Sequence, residues 1–528
     1  MSAGLPEMIT VFETFSQAAA THAGRPWLSV TAETAAAYGI EAGDIAYSQA
    51  LAAVQNLRTQ YDAAGYTRGH RVGLLLENRP AFFLHWFALN ALGVSIVPLN
   101  PDLRIIELAY VIAHSGLAAI VAIESRHAAL REASAGRPVP IVSPDAPPAR
   151  VTEPGTAVNE AALLYTSGTT GRPKGCVLSD AYFTVAGEWY ANLAGLGTIR
   201  QATERMLTPL PLFHMNALAY SAMAMLMTGG CLIPLDRFHP RSWWRTVRES
   251  GATIVHYLGV MPAILMADPP SADDAAHAVR FGFGAGVDGK LHARFEARFG
   301  FPLIEAWAMT ETGAGAVIAA SEEPRHIGTY CFGRPAPAIE TRIMQDDGSD
   351  GEQGELLVRH AGPNPRHGFF SEYLKDPAAT AEAWAGGWFH TGDVVRRGPD
   401  GSMHFVDRRK NVIRRSGENI AAVEVESALR QHAAITAVAV APIADAVRGE
   451  EVFACIVTNA HAGEALAREI TAWCVDRLAY YKAPGFIAFV ADLPLTSTQK
   501  IQRGELRSLV ASLAAAAHDM RALKRRPA

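Results

Sequence analysis

Cysteine is scarce in this chain: Cys176, Cys231, Cys331, Cys455 and Cys474 are five of 528 residues, with no Cys-x-x-Cys pair. An odd, scattered set argues against a disulfide framework and against a zinc site, and fits a reducing cytoplasm. A basic excess is missing too, since 47 Lys and Arg stand against 52 Asp and Glu, a formal net charge of −5. Without a basic field, nucleic acid is not an expected partner, and an anionic ligand has to be held by a local site. Between Met1 and Phe15 no basic segment precedes an apolar run, and Glu7 and Glu13 interrupt it, so no signal peptide is expected. One stretch, Ala217 to Leu235, has the length of a membrane span, but Gly229-Gly230 and Pro234 break it and basic anchors do not flank both ends. It reads as a buried helix followed by a core strand. The basic tail from Arg521 ends Arg-Arg-Pro-Ala rather than in a peroxisomal Ser-Lys-Leu, and reads as a solvated end.

What is present is a globular composition, 49% hydrophobic and 19% charged, on a chain too long for a single core. Its most distinctive stretch runs from Leu163 to Leu178, where two short apolar runs flank the loop Thr166-Ser-Gly-Thr-Thr-Gly-Arg-Pro-Lys-Gly175. Glycines let backbone N–H groups converge, the hydroxyls of Thr166, Ser167, Thr169 and Thr170 add donors beside Gly168, and Lys174 supplies charge: a cradle for a nucleotide triphosphate. The competing reading is a solvated β-turn. It is not a Walker loop, because Lys174 is followed by Gly175 and Cys176 instead of Ser or Thr.

Along the chain, a helix over Gln49–Ala64, a strand over Arg71–Leu76, an amphipathic helix over Arg79–Leu92, a helix over Ile105–His114 and a strand over Leu117–Ile123 set a βα rhythm. That rhythm predicts a mostly parallel sheet covered by helices. In Pro209-Leu-Pro-Leu-Phe-His214 two prolines hold the backbone extended and aim Phe213 and His214 at a fixed place, unless His214 is simply a packed loop histidine. Strands over Thr253–Leu258 and Val279–Phe283 follow, the second running into Gly284-Ala285-Gly286, where small residues let a flat ligand approach the main chain. The strand over Phe301–Trp307 leads into Ala308-Met309-Thr310-Glu311: an aromatic for a purine, then a hydroxyl and a carboxylate for phosphate-bound Mg²⁺. Trp307 reads equally as a core residue. Two strands of an antiparallel layer, Glu352–Arg359 and Gly401–Val406, are separated by Trp388-Phe-His-Thr-Gly-Asp393, a Thr-Gly turn that offers Asp393 to a ribose, unless it is merely a turn former. From Asp407 a dense basic run begins, and beyond it helices and strands alternate into a small α+β unit ending in the polar loop that carries Lys500.

Thr166–Gly175, Pro211–His214, Trp307–Glu311, His390–Asp393, Asp407–Lys410 and Lys500, in that order and spread over nearly the whole chain, resemble the successive core motifs of the adenylate-forming superfamily of acyl-CoA synthetases, luciferases and peptide-synthetase adenylation domains. The resemblance implies an α/β fold: a large N-terminal domain of layered mixed sheets with helices (1–406), a hinge (407–411, with Lys410 at the pivot) and a small mobile α+β lid (412–528). It implies an AMP-forming acid–CoA ligase with ATP, Mg²⁺ and coenzyme A, a small or medium carboxylic acid as substrate, and a cytoplasmic setting; a homodimer would be ordinary for the family. Residue by residue, it implies that Thr166, Ser167, Gly168, Thr169, Thr170 and Lys174 hold the triphosphate, and that Glu311 with Thr170 holds Mg²⁺ beside Thr310. Trp307 would stack on adenine near Gly284, Ala285 and Gly286, Asp393 and Arg408 would grip the ribose, and Lys500 would meet the attacking carboxylate at the α-phosphate while His214 gates the acyl pocket. After lid rotation the segment Arg415–Asn419, including Gly417, would replace Lys500 and line a tunnel for the thiol.

Some residues depart from the family pattern. Trp307-Ala308 replaces the usual Tyr-Gly, and Ala306 stands where a further glycine is frequent, so extra methyls should shorten the acyl slot. Gln499 replaces a glycine before Lys500. Phe213-His-Met-Asn216 and His256-Tyr-Leu-Gly259 are similar to members acting on crotonobetaine, carnitine and comparable compact acids, and Tyr220, Tyr257 and Trp307 would suit either an aryl or a quaternary-ammonium group. A stand-alone adenylation enzyme that loads a carrier protein is disfavoured by His214, where an Asp would bind an amino group. A luciferase-like oxygenase has no supporting feature, and an inactive nucleotide-binding relative is opposed by the joint presence of Glu311, Asp393, Arg408 and Lys500.

Overall fold

The computed structural model describes residues 9–524 except 104, 167–172, 346, 409–410, 416–417, 446–447, 479 and 496–500. Two mixed sheets make up most of the large domain. In the eight-stranded sheet the inner strands Leu303–Trp307, Phe281–Ala285, Ile254–Leu258, Arg205–Thr208, Cys231–Pro234 and Pro26–Val30 run parallel in that order. Antiparallel strands, Ile318–Ala319 and Gly43–Ala46, close its edges. The seven-stranded sheet runs Glu372–Tyr373, Lys174–Leu178, Ala162–Thr166, Ser95–Pro98, Arg71–Leu75, Ala119–Ala122, Ile141–Val142, parallel from Ala162–Thr166 onward. Its cradle hairpin is antiparallel, with Thr166 paired to Lys174. The parallel expectation therefore holds for the sheet interiors, where helical crossovers supply the cover.

The helix expected to be amphipathic, Pro80–Asn90, is instead buried on every side: Phe82, Phe83, His85, Trp86, Phe87, Leu89 and Asn90 are all covered. It runs through the largest core cluster with Phe15, Trp27, Tyr47, Tyr182 and Phe183, so it has no solvent side for polar residues to mark. The stretch once eligible as a membrane span resolves as expected into buried helix and core strand, a π-helical segment Asn216–Ala222, a helix Met223–Thr228 and the strand Cys231–Pro234. Gly229 takes φ +65° to end the helix. Among the described residues no helix is long and apolar enough to cross a membrane.

A five-stranded antiparallel sheet follows, including Gln353–His360, Phe389–Arg397 and Met403–Arg408. His390–Asp393 is not a turn between strands; it lies inside the strand Phe389–Arg397. There the pairing register shifts, Gly392 takes φ +66°, and Thr391 Oγ1 accepts the Asp393 N–H at 3.0 Å. This bulge re-aims Asp393 as a turn would have done. The small domain is a six-stranded sheet with the helices Ala422–Leu429, Glu464–Val475 and Arg503–Leu513. Asp407 and Arg408 are the last two residues of the strand Met403–Arg408 in the five-stranded sheet.

Candidate active site

A cavity of about 850 Å³ is lined by residues from both mixed sheets and from the antiparallel one. Its wall collects residues remote in sequence: Thr166 and Lys174 from the cradle hairpin, His214 after the Pro211 turn, Gly284 and Ala285 at the end of a parallel strand, Thr310 and Glu311, and Arg408. Strand ends supply most of them, the position at which an open α/β sheet presents groups to a ligand. Ser167, Gly168, Thr169, Thr170, Lys410, Gly417 and Lys500 lie outside the described residues.

Glu311 is 7% exposed, and its Oε1 accepts the Tyr373 hydroxyl at 2.9 Å. Burial and the neighbouring Glu311 carboxylate push the Tyr373 phenol far up, so it stays a neutral donor. Lys174 Nζ stands 4.6 Å from the centroid of the same ring, which puts a cation beside the carboxylate through one shared aromatic. The Tyr182 hydroxyl donates to the Thr310 carbonyl at 2.9 Å and fixes the backbone of that turn. His214 is exposed at the cavity wall, its ring 4.6 Å from that of Phe213.

Asp393 sits behind the wall, 1% exposed. Its Oδ2 accepts Trp307 Nε1–H at 2.8 Å, while Arg408 Nε lies 2.6 Å from Oδ1 as an ion pair without hydrogen-bond geometry. Burial raises the pKa of this carboxyl, and Arg408 and Trp307 pull it only part of the way back. Oδ1 is thus paired with Arg408 but meets no hydrogen-bond donor, and it is Arg408, not Asp393, that lines the cavity. A metal requires more: among the described residues no group of three or more His, Cys, Asp or Glu could hold one. A Mg²⁺ bound mainly through phosphate oxygens and water, with Glu311 alone from the described protein, remains compatible with this wall.

Three expectations change in detail. Gly284 faces the cavity, but a Cβ there would lie 2.3 Å from the Tyr257 carbonyl oxygen, so its bareness serves the protein's own packing as well as any ligand. Gly286 is off the wall; its N–H donates to Glu305 Oε2 at 2.9 Å. Trp307 packs near Phe332, and of the three aromatics expected at the acyl group only Tyr220 lines the cavity. Tyr257 spends its hydroxyl on Glu305 at 2.8 Å. Strand alternation explains the pattern, since Ala306 and Ala308 face the cavity while Trp307 faces Asp393.

Sequence reasoning missed the residues that hold the wall in place. Asn78, 4% exposed, donates from Nδ2 to the carbonyls of Leu210 and Leu235 at 3.0 and 2.7 Å and accepts Leu212 N–H at 2.9 Å, which pins the segment leading to His214. Glu-Asn78-Arg-Pro, following a buried strand, was the one local hint, because strand ends are where such open sheets keep their polar residues. Glu305, buried in the middle of the strand Leu303–Trp307, ties Tyr257 to the Gly286 and Val287 amides.

A layered large domain, a small sheet domain after it and a polar-to-apolar cavity at the strand ends define the adenylate-forming class. The model of the AMP-binding enzyme family matches residues 15–370 and that of the AMP-binding enzyme C-terminal domain matches residues 424–500, and the chain belongs to this family. It is 31% identical over 475 residues to a crotonobetaine/carnitine–CoA ligase of Citrobacter koseri, covering 84% of this chain and 89% of that one. Among solved structures, o-succinylbenzoate CoA synthetase from Bacillus subtilis in complex with its acyl-adenylate intermediate superposes with a TM-score of 0.78 at 24% identity, over 94% of this chain and 97% of that one. An anthranilate CoA ligase in complex with anthranoyl-AMP gives 0.81 at 22% identity, over 98% and 100%. These two likenesses establish the fold.

Proposed function

We propose that the chain is an ATP-dependent, AMP-forming acid–CoA ligase for a small or medium carboxylic acid, working in the cytoplasm. One observation carries the reading: a single cavity is lined both by charged groups, Lys174, Glu311 and Arg408, and by apolar ones, Phe283, Ala306, Ala308 and Val317. A nucleotide and an acyl chain need those two environments side by side. In the first half-reaction a carboxylate oxygen of the acid bonds to the α-phosphorus, and the bond from that phosphorus to the β-phosphate oxygen breaks, releasing pyrophosphate. In the second, the coenzyme A thiol, losing its proton, bonds to the acyl carbon, and the bond from that carbon to AMP breaks.

Roles follow from chemistry. Thr166 and Lys174, with Ser167, Gly168, Thr169 and Thr170, hold the triphosphate; Arg408 on the cavity wall, with Asp393 paired behind it, takes the ribose. Trp307 backs the adenine site from the strand next to Gly284. A Mg²⁺ held by Glu311 and Thr170 would supply charge neutralisation at the phosphates. Lys500 brings its ammonium to the oxygen at which charge accumulates as the phosphorus is attacked, and positioning does the rest. His214 stands at the entry of the acyl end. The domain boundary falls after Arg408, with the pivot at Lys410.

Pyrophosphate release with a panel of carboxylic acids, measured with and without coenzyme A, tests this. Release of pyrophosphate and AMP together with thioester formation is expected. No release with any acid would leave a nucleotide-binding relative without turnover, and release without a thioester would replace coenzyme A by a carrier protein.

A further inference from the structure

Behind Phe283 on the cavity wall lies a hydrogen-bond relay that neither half-reaction uses. His256, in the strand Ile254–Leu258, is completely buried. Its Nε2 is 2.9 Å from the Tyr190 hydroxyl, and its Nδ1 is 2.9 Å from Asn216 Oδ1 and 3.0 Å from Ser221 Oγ. Among the described residues, His256 is the hydrogen-bond partner of the buried Tyr190 hydroxyl. A hydroxyl proton held out of water has to reach an acceptor, so Nε2 offers its lone pair and the ring proton resides on Nδ1. Ser221 spends its own proton on the Asn216 carbonyl at 3.3 Å. Nδ1–H is therefore the donor to Asn216 Oδ1, and the side-chain amide has one orientation: oxygen toward His256, NH₂ away from it.

Asn216 lines the cavity with Tyr220 and Phe283, so the face turned from His256 is the cavity face. Asn216 is engaged through Oδ1 and its backbone carbonyl, and no hydrogen bond among the described residues engages Nδ2. Tyr220 cannot substitute for it, because its hydroxyl donates to the Gly313 carbonyl at 2.9 Å. Desolvation drives the His256 pKa down to about 3, so the ring is neutral at physiological pH and brings no charge to this part of the wall. The segment Asn216–Ala222 is π-helical, a widened turn that recurs at functional sites.

Resting on the ligase reading above, we infer that Asn216 determines acyl specificity: its oriented N–H pair selects acids that carry a hydroxyl, keto or ether oxygen away from the reacting carboxyl group. A hydrocarbon chain seated against that amide would strip its water and return no hydrogen bond, and a site built to hydrogen-bond its substrate rejects the analogue lacking the partner. A trimethylammonium group gains nothing from a donor.

The test is kcat/KM for pyrophosphate release with short straight-chain acids bearing a hydroxyl or keto group at successive carbons, each beside its deoxy counterpart, and with trimethylammonium analogues. For at least one position the oxygenated acid is expected to be preferred by about tenfold or more. Asn216→Leu should erase that ratio by lowering the oxygenated acid and raising the deoxy one, and His256→Phe, which frees the amide to turn, should reduce it. An ATP-induced rise in melting temperature certifies that each variant is folded. Equal kcat/KM across every pair in the unmodified enzyme, preference for a trimethylammonium acid over both members, or a ratio that survives Asn216→Leu overturns the inference and leaves the ligase reading standing. Absence of pyrophosphate release with all acids removes both. The unmodified enzyme decides the matter even if neither variant folds.

Discussion

At Gly284 the missing side chain makes room for Tyr257. The two residues are register partners on neighbouring parallel strands, and a Cβ at 284 would meet the Tyr257 carbonyl oxygen at 2.3 Å and its ring at 2.7 Å. The neighbour it would strike is backbone, which cannot swing aside. Gly284→Ala is expected to lower stability by about 1–3 kcal/mol through overpacking. Because the Tyr257 hydroxyl holds Glu305, which holds the Gly286 and Val287 amides, the same change should raise KM for ATP. A urea melt beside steady-state kinetics checks both, and an unchanged melt would return Gly284 to a purely ligand-facing role. At this scale the sequence was most informative where the chemistry is local. The cradle hydroxyls, the Thr310-Glu311 pair and the methyls of Ala306 and Ala308 announce themselves in a few consecutive residues, and the described ones face the cavity. Tyr257 and Trp307 were misdirected because aromaticity says what a ring can do and not which side of a strand it occupies. Alternation from Ala306 would have turned Trp307 away from the acyl end.

Elements, more than residues, were misjudged where burial erased the pattern that sequence reading uses. The helix Pro80–Asn90 has no polar face to find, and the bulge at Gly392 resembles a turn because both need the same left-handed glycine. Asn78 was missed for a different reason: beyond its place after a buried strand nothing marks it, since its partners Leu210, Leu212 and Leu235 lie more than a hundred residues away and all three bonds are to backbone, which leaves no trace in side-chain type. The segment it holds has its own N–H and C=O groups turned inward, so removing the amide strands them. Asn78→Ala should cost about 2–4 kcal/mol from the unsatisfied groups. It should also loosen the Pro211–His214 turn, raising KM for the acid more than KM for ATP. Asn78→Asp keeps the acceptor for Leu212 N–H and loses both donors, so an intermediate effect is expected. Equal effects on both substrates would mean that Asn78 serves the fold alone.

Across the whole molecule, apolar packing stops at the junction of the domains. The core clusters of the large domain and those of the small one share no member among the described residues. What joins them is polar: Ser427 Oγ donates to Asp288 Oδ2 at 3.2 Å, Arg430 approaches the same oxygen at 3.9 Å, and Val423 N–H donates to Asp407 Oδ2 at 3.3 Å. Contacts of this kind exchange readily for water, which supports the proposal that the small domain moves as a lid. If one seat serves adenylation and another serves thioester formation, fixing the domain here must separate the two half-reactions. Asp288→Cys with Ser427→Cys, joined by a short bifunctional thiol reagent, does this selectively because all five native cysteines are buried. Asp288 also accepts Lys290 N–H at the start of the helix Gly289–Phe299, so the unjoined double variant is the reference that cancels loss of that cap. The joined protein should keep one half-reaction, read as pyrophosphate release or as thioester formation from a supplied acyl-adenylate, and lose the other by roughly tenfold or more. Lys500→Ala should suppress adenylation and spare the thioester step. Joined protein that runs both half-reactions at the reference rate would mean that one orientation suffices, and the polar junction would then need another explanation.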